Sequence, residues 1–86
     1  KNFRGGMQMR VKKLVCVVSF NNTTEAIAFE EEAKKQGLPG RIIPLPRQIS
    51  SGCGLAWKDD IESIDTIKEL LKETQIPFKE VHQIVL

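Results

Sequence analysis

The residue types best suited to chemistry gather in one short stretch: Ile43-Pro44-Leu45-Pro46-Arg47-Gln48-Ile49-Ser50-Ser51-Gly52-Cys53-Gly54-Leu55 sets a cysteine between two glycines, just after an arginine and two serines. A cysteine attacks only as its thiolate, and a thiol of ordinary acidity, near ~8.5, is mostly protonated at neutral pH. A reactive Cys53 therefore needs neighbours that favour the anion. Arg47 offers a cation at short range, and the backbone N–H groups and hydroxyls of the Ser50-Ser51-Gly52 turn offer hydrogen bonds. Gly52 and Gly54 remove bulk on both sides of the sulfur, so that a partner's reacting group can come close. This pattern predicts an accessible Cys53 as nucleophile, Arg47 as the cation that supports it, and Ser50, Ser51, Gly52 and Gly54 as the groups shaping the loop. The same composition also suits a tight turn in which Cys53 is a small buried hydrophobe and Arg47 is solvated.

The other residues with chemical potential read more plainly as structure. Two cysteines do not make a disulfide framework, and their separation fits no two-pair zinc spacing. Cys16 lies inside the apolar run Leu14-Val15-Cys16-Val17-Val18, where cysteine packs as a small hydrophobe. His82, the single histidine, reads as a surface or satisfied side chain, and pairs with Cys53 only if the last strand lies beside the loop. Trp57 reads as core, although an exposed Trp57 next to Cys53 would mark a docking surface. Glu30-Glu31-Glu32 reads as a solvated helix face. No metal site and no organic cofactor is implied.

Composition narrows the classes further. With 41% hydrophobic and 28% charged residues over 86 positions, the chain is too apolar for a disordered tail and long enough for one core only. No apolar run approaches the roughly 20 residues of a membrane span, and no signal peptide stands out. The net charge of +2 is small and its Lys and Arg are scattered among Asp and Glu, which speaks against nucleic acid as a partner. Residues 1–8 read as an expression remnant or disordered N-terminus, and residues 9–86 as a single domain. The location expected is cytoplasmic; the oligomeric state is not legible.

The elements that must position Cys53 follow from periodicity. Residues 11–20 are rich in β-branched residues and nearly continuously apolar, as in a central strand. Asn22-Thr23-Thr24-Glu25 supplies a helix start, Ala26, Phe29 and Ala33 form its apolar face, and Gly37 is its stop. Residues 41–45 make a short strand confined near an edge by Pro44 and Pro46. Residues 54–58 form the third strand. Asp59 and Asp60 open a second helix with the stripe Ile61, Ile64, Ile67, Leu70 and Leu71, which Pro77 prevents from continuing, and residues 78–86 form the last strand. The order βαββαβ predicts an α+β, ferredoxin-like fold, two helices on one face of a four-stranded antiparallel sheet. That fold alone names no function.

The stretch from Ile43 to Gly54, with its core Pro46-Arg47-Gln48-Ile49-Ser50-Ser51-Gly52-Cys53-Gly54, resembles the signature of the selenium/sulfur carrier-like family of small bacterial and archaeal proteins. The resemblance continues more weakly through the preceding helix and Gly37 and into the strand after Cys53. It implies that Cys53 carries sulfur or selenium as a persulfide or selenopersulfide between a donor and an acceptor protein. Relatives of this kind can stand beside or be fused to sulfurtransferase-like domains, for which this chain has no room, so donor and acceptor stay unidentified. At most the protein is then a sulfur or selenium transfer carrier with Cys53 as the persulfide site. The rival reading is a non-catalytic interaction or ligand-sensing module with Cys53 as a turn residue.

Overall fold

The computed structural model describes residues 12–50 and 53–86. In chain order these form β1 (Leu14–Ser19), α1 (Thr23–Lys35), β2 (Arg41–Pro44), β3 (Leu55–Asp60), a single 3-10 turn (Ile61–Ser63), α2 (Ile64–Thr74) and β4 (Glu80–Val85). The strands make one antiparallel sheet in the order β2-β3-β1-β4. This is the ferredoxin-like α+β arrangement expected from the element order, with β2 and β4 at the edges.

β1 is central because its residues allow nothing else: the five from Val15 to Ser19 are all buried, so both faces of the strand are covered. Cys16, Val18 and Phe20 face the helices and meet Ala26, Phe29 and Ala33 of α1 and Ile67, Leu70 and Leu71 of α2. Val15 and Val17 point the other way and pack with Ala56 and with Ile49 from the loop after β2. The alternation of side chains along a strand thus divides the apolar residues between two separate clusters.

The helix boundaries have local causes. Asn22 caps α1, its side chain accepting from the Glu25 N–H at 3.0 Å, and Glu25 in turn accepts from the Asn21 N–H at 2.8 Å. Gly37 takes the left-handed conformation at φ 77° and ends the helix as its type predicts. α2 stops earlier than Pro77, at Gln75, which adopts φ 58° and donates to the Leu71 carbonyl; the residue before a proline is disfavoured in a helix, so the turn falls ahead of it.

Two expectations need correction. Asp59 and Asp60 do not open the second helix; they extend β3, opposite Cys16 and Val15 of β1. Continuing the strand places Asp59 in the core, where its carboxylate is satisfied by Trp57 Nε1–H at 3.1 Å and by the Asp60 N–H at 2.7 Å. A buried carboxylate with two donors is tolerable, and α2 begins only after the 3-10 turn. The last strand is also shorter than 78–86. Its ends are tied down outside the strand proper, by Lys79 N–H to the Ser19 carbonyl at 2.7 Å and by paired bonds between Lys13 and Leu86 at 3.1 Å. Residues 1–8, read as a remnant or disordered N-terminus, and Val11, the start of the first expected strand, lie outside the described residues.

Trp57 is fully buried and stacks edge-on against Phe29 with centroids 5.5 Å apart, confirming it as core. The backbone at Gly40 passes so near it that a Cβ there would stand 2.8 Å from both Trp57 Cε2 and Asp59 Cγ, and closer still to the Lys58 carbonyl. No real Cβ sits at such distances, so Gly40→Ala must push β2 and β3 apart. The expected loss is about 1–3 kcal/mol, measurable as a lower urea midpoint; an unchanged midpoint would refute the close approach.

Cys16 has no exposure, and burial, aided by the negative charge of Asp59 and only partly offset by Lys68, pushes its thiol from 9.0 to about 11. The unfolded chain therefore releases this proton near pH 9 while the native chain holds it to about 11. Since the native state binds the extra proton, this contribution is intact below pH 9 and is lost as pH rises through the window. Relative to Cys16→Ala, the wild type should lose about 2–3 kcal/mol of stability across that window. Chemical denaturation at stepped pH reads it, and parallel curves for the two proteins would exclude it.

Candidate functional site

The topology decides what Cys53 meets. β1 and β2 are each antiparallel to β3, so their C-terminal ends share one end of the sheet with the beginnings of β3 and β4. The connection from β1 into α1 and the loop from β2 into β3 emerge there together. As a result Cys53 Sγ lies 4.0 Å from Oγ1 of Thr23, the first residue of α1. The Leu55 N–H donates to the same sulfur at 3.4 Å.

The loop holding Cys53 is anchored at three places. Its base is closed by the Leu45 N–H bonding to the Gly54 carbonyl at 2.9 Å. Its tip is a turn in which the Ile49 N–H reaches the Pro46 carbonyl at 3.0 Å. Ile49 is buried on the sheet face away from the helices, among Val17, Ala56, Ile43 and Leu45. The sulfur itself sits on the other side, against the start of α1.

This arrangement corrects the expectation of an exposed thiol: Cys53 is 4% accessible. The reason is the combination of the closed base and the anchor at Ile49, which draw the loop onto the end of the sheet and leave the sulfur facing Thr23. Arg47 is exposed, and among the described residues it makes no hydrogen bond or ion pair. Ser50 is likewise exposed. Ser51 and Gly52 lie outside the described residues. Gly54 is exposed and a Cβ there would meet nothing within 4 Å, so neither crowding nor a left-handed backbone requires glycine; what it leaves is open approach from outside.

His82 is engaged elsewhere. Its Nε2 shares a hydrogen bond with Ser19 Oγ at 3.1 Å and stands 3.6 Å from Glu80 Oε1. Among the described residues no cluster of three or more His, Cys, Asp or Glu side chains could hold a metal ion. Also among them, no helix is long and apolar enough to cross a membrane.

Thr23 is the site residue that sequence reasoning passed over. Its only signal was the Asn22-Thr23-Thr24 helix start, whose proximity to the cysteine loop depends on strand order. The positive end of a helix favours negative charge nearby by about 0.3–1 kcal/mol. Together, a helix start, a hydroxyl and a backbone N–H around one sulfur form a place where an anionic sulfur species can be held.

Comparison with known proteins gives one positive result. A family model described as "Putative Se/S carrier protein-like" matches residues 15–83, and the chain belongs to that family. No curated protein and no solved structure matches it.

If Thr23 Oγ1 supports the anionic sulfur, Thr23→Val, which keeps the shape and removes the hydroxyl, should slow alkylation of native Cys53 about fivefold, the worth of one neutral hydrogen bond. Thr23→Ser should restore the rate. Peptide mass spectrometry after brief iodoacetamide treatment measures it, and equal rates in all three proteins would remove Thr23 from the site.

Proposed function

We propose that this member of the Se/S carrier protein-like family carries sulfur or selenium on Cys53. The observation that supports the reading best is the seat of the sulfur, at the start of α1 with Thr23 Oγ1 and the Leu55 N–H around it. Loading begins with the Cys53 thiolate attacking the outer sulfur of a donor persulfide. A Cys53 S–S bond forms, the donor's S–S bond breaks, and the donor leaves as a thiolate that takes up the proton Cys53 gave to solvent. Delivery reverses the roles: an acceptor thiolate takes the outer atom and Cys53 departs as thiolate. No net oxidation occurs, so the exchange needs neither a metal nor an organic cofactor. A selenopersulfide follows the same balance with selenium as the outer atom.

Burial of Cys53 then becomes part of the cycle. A persulfide is reduced by any thiol that reaches it, so a covered seat protects the cargo, and the loop has to lift for donor and acceptor. Arg47 and Ser50, exposed on that loop, and the open approach at Gly54 form the surface both partner proteins meet. A partner's acidic side chain would find Arg47 without an ion pair among the described residues. The cytoplasm, where thiols are plentiful, suits such exchange. The same burial favours the rival reading, in which Cys53 is a turn residue of an interaction module.

Incubation with a cysteine desulfurase and cysteine separates the two. The carrier gains one sulfur atom on Cys53, releasable by a reducing thiol, and Cys53→Ser gains none; transfer from loaded Cys53 to an acceptor exceeds that from a free persulfide at equal concentration. Intact-mass and peptide analysis report loading. Equal loading of Cys16, or loading that is never passed on, would leave the interaction module as the function.

A further inference from the structure

The sheet face away from the helices carries charges that the carrier reading does not use. Arg41 of β2 and Lys58 of β3 are register partners, so two cations stand directly opposite one another across the strand pair. Like charges in that position destabilise a sheet. Among the described residues neither forms an ion pair, and neither does Lys12. Asp59 of β3 faces the helix side with Trp57, and Asp60, on the same face as Lys58, is taken by Lys13 at 3.8 Å.

These cations border a cavity. Lys12, Arg41 and Lys58 line a cleft of about 460 Å³ whose remaining wall is largely apolar, including Ile43, Pro46 and Leu86, and no Asp or Glu side chain lines it. That volume lies within the range of small-molecule sites, roughly 300–1,000 Å³. A cross-strand pair of cations that forms no ion pair among the described residues, beside an apolar concavity, is what an amphipathic anion would complete: its charged head neutralises the repulsion and its body covers Ile43 and Leu86. Cys53 is not part of it, since its sulfur faces α1 on the opposite side of the sheet.

We propose that this cleft binds a small organic anion with a doubly charged head, of the phosphate monoester class, and a short apolar body. Arg41 and Lys58 clamp the head, Lys12 adds a third positive charge at the rim, and the Ile43, Pro46 and Leu86 side chains receive the body. Binding relieves the Arg41–Lys58 repulsion and so stabilises the fold as well as the complex.

Hexyl phosphate is the probe, with inorganic phosphate and hexanol as comparators, followed by amide chemical shifts. Saturable shifts at residues 41, 43, 58 and 86 are expected, with affinity for hexyl phosphate about tenfold above that for either comparator and falling with added salt. Lys58→Glu should abolish binding while raising the melting temperature, because an opposite-charge pair then replaces the like-charge one; Arg41→Gln should weaken binding about tenfold. Sulfur loading of Cys53 should be the same in Lys58→Glu as in the wild type, so failure here and failure of the carrier reading are told apart. Absence of saturable shifts up to about 10 mM, shifts confined to another surface, or undiminished binding by a folded Lys58→Glu would each overturn the proposal.

Discussion

Burying one strand on both faces forces most of the other decisions in this molecule. β1 has five consecutive buried residues, and a strand in that position must also have both edges hydrogen-bonded, because orphaned backbone groups away from water are costly. β3 takes one edge and β4 the other. The helices can cover only one face, so the second face needs its own cover. Part of that comes from the loop after β2, whose Ile49 is inserted among Val17 and Ala56. The loop that holds Cys53 is thus also a piece of the core.

That double duty explains the position of the sulfur. Ile49 pulls one end of the loop toward the open face of the sheet, while Leu45 and Gly54 close its base. Cys53, just before the base, is turned to the helix side against Thr23. On the carrier reading proposed above, cargo on Cys53 would be sheltered by the same contacts that stabilise the fold, and lifting the loop would mean withdrawing Ile49 from the smaller cluster. Such a rearrangement is of the size that partner docking commonly drives.

The two cysteines show how environment separates identical side chains. Cys16 is held beside the Asp59 carboxylate in the helix-side core, where its anion is opposed by burial and by charge. Cys53 has a hydroxyl, a backbone donor and a helix start around it. Asp59 owes its own burial to Trp57, whose indole N–H it accepts, and Trp57 has room only because residue 40 is glycine. One glycine, one tryptophan and one aspartate form a chain of dependence running from β2 to Cys16.

By itself the sequence determined the element types and their order, since the alternating and helical periods, Asn22 and Gly37 are all local signals, and βαββαβ leaves few packings for so short a chain. It also singled out Cys53, because the stretch from Pro46 to Gly54 is unlike the rest of the chain in composition. It misplaced Asp59 and Asp60, whose capping propensity was outweighed by pairing with β1, an interaction between residues far apart in the chain. Only the tertiary structure decided that Cys53 is covered, that Arg47 is exposed and that Thr23 stands beside the sulfur. Those facts depend on which strands are neighbours and on where Ile49 is buried, and no local pattern encodes a distance between two loops that meet only when the sheet closes.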